Sequence, residues 1–375
     1  MRQPNFRRRA GACPPPVFVS SNTRDPEKSV VAPPLDEPRP HGILQDVLDD
    51  RRVRRAYAFS HLPGVWCSPV LSPTEEEHVA NSEVVGSIAD LWRFPVKSMG
   101  GETLREVVVT ERGVLGDRAY ALIDTDTGRV VSAKSVRLFP DLFECKAAFV
   151  EPPRGNGVVP AVRISLPNGT TVRSDSGDVD RVLSAYFKRN VTLGRAAPAD
   201  FTIDQYHPDV EGADPGGNRD TMVAQKLGSA LFAALGMESP VPVGSFFDVF
   251  PMSVMTTSTL AQLSGLRPQT KFDPRRFRMN LIVNTQRPGF VENDWVGHEL
   301  GLGEGARLKV ALLDPRCVMT TLAQGDLPQD TDVLRTLVRH NKVQVGDLGQ
   351  FPCAGVYAVV AAPGTVRTGD RVVLN

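Results

Sequence analysis

Short apolar segments separated by turn residues run from Val84 to the C-terminus, and this alternation constrains the fold more than any other feature of the chain. Segments of this kind, bounded by Gly, Pro, Asn and Asp, are typical of antiparallel strands. The turn Pro167-Asn168-Gly169 is a strong hairpin signal between two of them. The predicted strands are 84–92, 106–110, 119–124, 129–133, 161–166, 170–173, 277–284, 307–313, 355–361 and 371–374.

Helical periodicity is confined to a few short segments. In 178–189, the residues Val179, Leu183 and Phe187 share one face, and Asp178 is available as an N-cap. Further helices are predicted at 43–59, 257–263 and 331–340. Many short strands with few helices predict a mostly β protein of the α+β class, a β-barrel with small helices preceded by a smaller β-rich N-terminal domain.

Composition divides the chain into three parts. Residues 1–82 are rich in arginine and proline, and we expect a disordered extension because such sequence cannot bury enough apolar surface to offset its ordering entropy. Residues 83–205 are predicted to form the N-terminal domain. Residues 205–220 read as a linker or long loop, and 220–375 as the second domain.

The charge balance excludes some classes of partner. Lys plus Arg equals Asp plus Glu at 43 each, so no global field favours nucleic acid or an anionic membrane. No apolar run reaches the roughly 18 residues that span a bilayer. The five scattered cysteines form neither a disulfide framework nor a zinc pattern. They indicate a reducing compartment, and we expect a cytoplasmic protein.

Cys317 is the cysteine with the most distinctive surroundings. It follows the predicted strand 307–313 at a strand-to-loop transition, and it lies beside Arg316. A neighbouring guanidinium favours the thiolate, which is the form that binds metals and attacks electrophiles. The alternative is that Cys317 is a small buried hydrophobe, as free cysteines usually are.

Three polar clusters lie near the ends of predicted strands: Phe94-Pro95-Val96-Lys97-Ser98, Gly116-Asp117-Arg118 and Arg276-Phe277-Arg278-Met279-Asn280. Each alone is ordinary, because a Lys-Ser turn is usually solvated and an Asp-Arg pair usually forms a surface salt bridge. Together they supply cations, a hydroxyl and an amide. This set suits an anionic ligand with phosphate oxygens and amide edges.

The three clusters are followed in the chain by three further motifs, which are Glu292-x-Asp294-Trp295-x-Gly297, Arg316-Cys317 with Thr320, and Gly369-Asp370. Taken together and in this order, the motifs resemble those of the MOSC family, named after the C-terminal domain of molybdenum cofactor sulfurases. The arrangement is most similar to that of amidoxime-reducing members, which carry an N-terminal β-barrel-like domain before the MOSC barrel. The resemblance covers the chain from about Val84 to Asn375.

The resemblance implies a molybdenum–pyranopterin cofactor (Mo-molybdopterin). Cys317 would be the protein's thiolate ligand to the metal and the catalytic residue. Asp117 would orient Arg118. Pyridoxal phosphate is not expected, since the residues upstream of Val84 are too few for a domain that binds it. The cofactor-binding residues implied by the family motifs are Lys97, Ser98, Arg118, Thr256, Arg278, Asn280 and Arg316.

The resemblance leads to one main functional hypothesis and two alternatives. The main one is a molybdenum-dependent oxidoreductase that converts N–OH to N–H in small N-hydroxylated compounds. It would take electrons from a separate donor protein of the ferredoxin, flavin or cytochrome type. The first alternative is a carrier that delivers molybdenum cofactor or sulfur to a client enzyme. The second is a barrel that binds neither, because fold alone does not determine function.

Overall fold

The computed structural model describes residues 82–155 and 157–375 of the 375-residue chain. The predicted helix 43–59 and nearly all of the predicted extension 1–82 lie outside the described residues. None of the helices in the described part is long and apolar enough to cross a bilayer.

Strands dominate the described residues, and four helices accompany them. The strands are β1 (Glu83–Arg93), β2 (Glu102–Leu104), β3 (Glu106–Thr110), β4 (Gly113–Val114), β5 (Ala121–Asp124), β6 (Lys146–Phe149), β7 (Val162–Ser165), β8 (Thr171–Arg173), β9 (Val191–Gly194), β10 (Thr202–His207), β11 (Thr221–Lys226), β12 (Met252–Thr256), β13 (Leu281–Asn284), β14 (Glu299–Leu302), β15 (Ala306–Pro315), β16 (Lys342–Gln344), β17 (Gln350–Ala362), β18 (Gly364–Arg367) and β19 (Arg371–Leu374). The helices are α1 (Val179–Phe187), α2 (Gly228–Ala234), α3 (Thr257–Leu266) and α4 (Asp332–His340).

Seven strands close into a barrel in the order β12-β13-β1-β19-β14-β15-β17, and β17 pairs back onto β12. Only the β12–β13 pair is parallel among these neighbours. The barrel encloses an apolar core that includes Leu91, Val254, Leu281, Leu308 and Val356, all fully buried. Closure leaves no open edge within the barrel, which is a common solution for sheets built from short strands.

The two halves of the sequence share this barrel. Strand β1 pairs with β13 and β19, and β3 pairs with β18. A second core, with Tyr120, Leu142 and Leu183 among its buried residues, lies under α1 and the small sheets β5-β9 and β6-β7-β8. The domain limits drawn from composition remain a prediction, but the first strand of the N-terminal half belongs to the barrel.

The predicted fold class is confirmed, because the described chain is mostly strands, with a barrel and four short helices. Strands β3 and β19 begin and end as predicted. The helix predicted at 178–189 ends at Phe187, since Lys188 adopts the left-handed conformation with φ 53°. In that helix Asp178 occupies the N-cap position without a side-chain capping bond.

Two local predictions were wrong. Residues 129–133 form only a single bridge from Val130 to Ile123 rather than a strand. The strand predicted from Phe277 begins at Leu281, because the left-handed φ of 58° at Arg278 interrupts extended backbone. The segment 205–220, expected to be a linker or long loop, is a loop from 208 to 220 that joins β10 to β11, and its first residues, 205–207, belong to β10.

Candidate functional site

A cleft of about 110 Å³ lies where the loop after β1 meets the loop before β12 and the end of β15. Its lining contains six cations and two carboxylates. The cations are Lys97, Arg118, Lys134, Arg276, Arg278 and Arg316, and the carboxylates are those of Asp248 and Asp314. Residues separated by more than 200 positions in sequence thus contribute positive charge to a single cleft.

Asp248 joins the buried Lys97 and the half-buried Lys134 in this cleft. The Nζ atom of Lys97 contacts Asp248 Oδ1 and donates to the carbonyl of Phe246 at 3.0 Å. The Nζ atom of Lys134 lies 2.8 Å from Asp248 Oδ2. Burial lowers the pKa of Lys97 to about 8, although Asp248 opposes the shift. Burial alone would raise the pKa of Asp248, but the two lysines hold it well below its usual range.

Asp117 fixes the position of Arg118, as predicted for this pair. Its Oδ2 atom contacts the Arg118 guanidinium and accepts a hydrogen bond of 2.8 Å from Asn280 Nδ2. Its Oδ1 atom accepts one of 2.7 Å from the backbone N–H of Phe94. Arg118 also donates to the carbonyl of Arg278 at 3.1 Å. One buried carboxylate therefore ties the loop after β1 to the start of β13.

Arg278 is a buried cation that forms no ion pair with the carboxylates of residues 82–155 and 157–375. Its Nη1 atom donates to the carbonyl of Met99 at 2.7 Å, and the guanidinium lies 4.2 Å from the ring centroid of Phe94. Burial, assisted by the charge of Arg118, lowers the pKa of Arg278 to about 9, so it remains a cation at neutral pH. Its charge is thus available to an anion.

Three predicted site residues have strained backbones. Ser98, Arg118 and Arg278 adopt left-handed conformations with φ of 65°, 47° and 58°. Only Lys188 and Asp220 share this feature among the other non-glycine residues of the described chain. Non-glycine residues in this region cost about 1–3 kcal/mol and cluster at functional sites. The strain therefore supports a binding role for this cleft.

Arg316 is buried, and its guanidinium is bonded to protein groups rather than free to bind a ligand. Its guanidinium donates to the carbonyls of Ala354 and Phe277, the latter at 2.9 Å, and lies 2.7 Å from Asp314 Oδ2. The other oxygen of Asp314 is buried and accepts no hydrogen bond from the residues that the structure describes. Burial raises the pKa of Asp314 to about 6, although the charge of Arg316 opposes the shift.

Cys317 follows β15 immediately and lines the cleft. It is half-buried, whereas Cys145 and Cys353 are fully buried. Burial raises the pKa of both of those thiols to about 12, so they stay protonated at neutral pH. Cys317 is therefore the one cysteine in the described residues that a ligand in the cleft can reach.

Most, but not all, of the predicted site residues line the cleft. Lys97, Ser98, Arg118, Arg278, Asn280, Arg316 and Cys317 all line the cleft. Thr256 does not: its hydroxyl caps α3 by accepting from the Thr259 N–H at 3.1 Å and donates to Glu292 at 2.7 Å. The amide of Asn280 is engaged with Asp117 and Ser253. Asn280 thus connects parts of the protein rather than presenting a free amide edge.

Lys134, Asp248 and Tyr357 line the cleft but were absent from the predicted set. A signal for Asp248 is present, since it interrupts the apolar run Phe246-Phe247-Asp248-Val249-Phe250. A carboxylate inside such a run is either buried with a partner or functional. Lys134 lies in the mixed segment Ser132-Ala133-Lys134-Ser135, and nothing local distinguishes it from a solvated lysine.

The chemistry of the cleft follows from these groups. Excess positive charge and strained donors suit a ligand that carries phosphate, since guanidinium forks match its oxygens. The thiol of Cys317 lies in the same wall and can ligate a soft metal once it is deprotonated. No cluster of three or more His, Cys, Asp or Glu side chains that could hold a metal exists within the described residues.

Two domain families match this chain. Residues 85–179 match the family model described as the MOSC N-terminal beta barrel domain, and residues 243–373 match the MOSC domain. Human "Mitochondrial amidoxime-reducing component 1" is 24% identical over 317 residues, which are 77% of this chain and 83% of the relative. Human "Mitochondrial amidoxime reducing component 2" is 26% identical over 308 residues, with the same coverages of 77% and 83%.

Among solved structures, the YUAD protein from Bacillus subtilis aligns with 78% of this chain and 97% of its own. The sequence identity is 11% and the TM-score is 0.35. A score this low supports no argument about fold or function.

Proposed function

We propose that this chain, which belongs to the MOSC-domain family, binds a molybdenum–pyranopterin cofactor and reduces N-hydroxylated compounds with it. The observation that carries the proposal is the position of Cys317 in the wall of a cleft that also gathers Lys97, Arg118 and Arg278. Two relatives named as amidoxime-reducing components support the reaction class.

The residues of the cleft fit such a cofactor. Arg278 is a buried cation with no carboxylate partner among residues 82–155 and 157–375, and Lys97 and Lys134 share the carboxylate of Asp248. A buried charge without a charged partner is costly. A phosphate that enters the cleft would supply the missing negative charge, and the thiol of Cys317 would complete the coordination of the metal.

The roles of the individual residues follow from their positions. Lys97, Lys134, Arg118 and Arg278 would bind the anionic group, and Cys317 would be the protein ligand to molybdenum. Asp117 keeps Arg118 oriented through a buried ion pair. Asp248 must give up part of its contact with the lysines when a phosphate competes for them. Its carboxylate therefore makes the site selective for ligands of high negative charge.

The proposed reaction is R₂N–OH + 2 e⁻ + 2 H⁺ → R₂N–H + H₂O. The bound metal would supply the two-electron chemistry that accepts the oxygen. The electrons would come from a separate protein of the ferredoxin, flavin or cytochrome type. Burial and the nearby Asp314 keep the pKa of Tyr357 well above its ordinary value, so the hydroxyl of this cleft-lining residue stays protonated. We also propose that the protein works in the cytoplasm.

The test compares Cys317→Ala with Cys145→Ala, which alters a buried cysteine of the second core. Protein from a host that makes the pterin is analysed for molybdenum and for amidoxime reduction with a chemical electron donor. We expect both to be lost in Cys317→Ala and retained in Cys145→Ala. Reduction by Cys317→Ala at the rate of the parent would refute the proposal. Molybdenum retained by the parent without turnover would favour the carrier instead.

A further inference from the structure

A second cavity, of about 300 Å³, adjoins the cation-rich cleft. Both cavities are lined by Cys317, and they also share Lys134, Asp248, Val249, Pro315, Arg316 and Tyr357. A molecule that fills the second cavity would therefore reach the proposed metal ligand from the side away from Arg118 and Arg278. The volume lies at the lower end of the range for small-molecule sites.

The second cavity is apolar over much of its wall. Its lining includes Leu227, Leu231, Leu235, Leu312, Leu334, Leu348 and Phe351. Leu334 and Leu227 are buried, whereas Leu235 and Leu348 are 39% and 49% exposed and mark an opening to solvent. These side chains come from α2 and the residues that flank it, from β15, α4 and β17, and from the turn before β17, so several elements converge to form one apolar wall.

A polar strip of the lining runs along the β10–β11 hairpin and its connecting loop. Gln205 and His207 lie on β10, and their Nε2 atoms are 3.5 Å apart. His207 Nδ1 lies 3.6 Å from Asp214 Oδ1 in the connecting loop. These groups contact one another. The cavity therefore offers an apolar surface beside a polar strip, and its residues Lys134, Asp248 and Arg316 lie in the part that it shares with the cation-rich cleft.

We propose that this cavity binds the apolar body of the substrate and selects N-hydroxylated compounds that carry an aromatic or branched alkyl group. The inference rests on the proposed function, because it directs the N–OH group toward Cys317. Burial of apolar surface is the main source of affinity for such a wall. Polar groups near Cys317, including the Tyr357 hydroxyl, would contact the N–OH end. Small N-hydroxylated compounds without an apolar body would leave the leucines in contact with water.

The test measures binding rather than turnover. Isothermal titration calorimetry on molybdenum-loaded protein, without an electron donor, compares benzamidoxime with acetamidoxime. The two ligands share a head group and differ in phenyl against methyl. From the additional apolar area, we expect benzamidoxime to bind at least about tenfold more tightly.

Leu231→Asn places an amide of similar size in the apolar wall. We expect this variant to reduce the preference for benzamidoxime to about threefold or less, with unchanged affinity for acetamidoxime and unchanged molybdenum content. The matched control is Leu260→Asn, a half-buried leucine of α3 that lines neither cavity. Leu348→Asn replaces an exposed residue at the opening and gives a second measurement if Leu231→Asn does not fold.

The outcomes separate the two proposals. Equal affinity of the parent for both amidoximes, in protein that holds molybdenum and reduces them, would overturn the cavity assignment and leave the proposed function intact. A loss of preference in Leu260→Asn equal to that in Leu231→Asn would also overturn it. Protein without molybdenum or turnover would overturn both.

Discussion

Asp314 provides a quantitative test of the electrostatics around Cys317. Its carboxylate is buried, with one oxygen 2.7 Å from Arg316 and the other without a hydrogen bond from any residue of the described chain. Burial raises its pKa from the ordinary value of 3.8 to about 6 in spite of Arg316. Asp314→Asn has a similar shape and retains an oxygen that can accept from Arg316, but it cannot ionise.

The sign of the effect follows from linkage. The pKa of the carboxyl is higher in the folded protein than in the unfolded chain, so its contribution to stability is full below about pH 4 and is lost as the pH rises through about 6. A shift of about two units corresponds to roughly 3 kcal/mol in total. About 2 kcal/mol of that should be lost between roughly pH 4 and pH 7. Asp314→Asn cannot ionise, so its stability does not decrease for this reason as the pH rises.

The assay is urea unfolding of cofactor-free protein, followed by tryptophan fluorescence over this pH range. The quantity to plot is the free energy of unfolding of Asp314→Asn minus that of the parent. We expect it to increase by about 2 kcal/mol toward neutral pH. Asp347→Asn, which changes an exposed carboxylate, should give a nearly flat line. A difference for Asp314→Asn that is flat, or that falls with pH, would refute the reasoning.

Two further predictions concern groups that hold the site in place. Gly355→Ala should lower stability by about 3 kcal/mol, because φ is +81° and a Cβ would lie 2.5 Å from Met279 Cε and 2.7 Å from the carbonyl oxygen of Val254. Urea unfolding checks this against Gly305→Ala, where a Cβ meets nothing within 4 Å, and equal midpoints would contradict it. Glu292→Ala should lower stability by about 3–5 kcal/mol, because a buried carboxylate that accepts from Thr256, Thr259 and the Gly355 N–H is removed. The exposed Glu304→Ala is its control, and an equally small loss in both variants would count against the assigned bonds.

The barrel was predictable because its strands carry their own signals. Strands β3 and β19 alternate buried and exposed side chains or end at clear turns, and their limits were predicted correctly. Strand β12 was missed because all five of its residues are buried, so Met252–Thr256 has no alternation to detect. The β10–β11 hairpin was missed because its strands are joined by a long Gly- and Pro-containing loop, which resembles a linker in sequence.

The cleft was predictable only where residues form motifs. Lys97, Ser98, Arg118 and Arg278 come from short polar clusters that stand out against apolar strands. Asp248 and Lys134 do not, because their role depends on a pairing between residues 114 positions apart. Thr256 shows the converse, since a hydroxyl before a short helix is explained fully by capping. Residues that are close in sequence reveal turns and caps, whereas an ion pair between residues that are distant in sequence can be identified only from the fold.

The energetics of the cleft connect its structure to its proposed role. Three left-handed residues store about 1–3 kcal/mol each, and the pKa of Lys97, lowered by burial to about 8, represents roughly 3 kcal/mol more at neutral pH. Packing in the surrounding barrel must offset this cost in the free energy of folding, because the cleft residues themselves do not. An anion bound among Lys97, Lys134 and Arg278 would offset part of the cost by favouring their charged forms. The strained backbone and the buried cations therefore lower the stability of the cleft and raise its affinity for an anion. Both effects come from the same residues, as expected of a preorganised binding site.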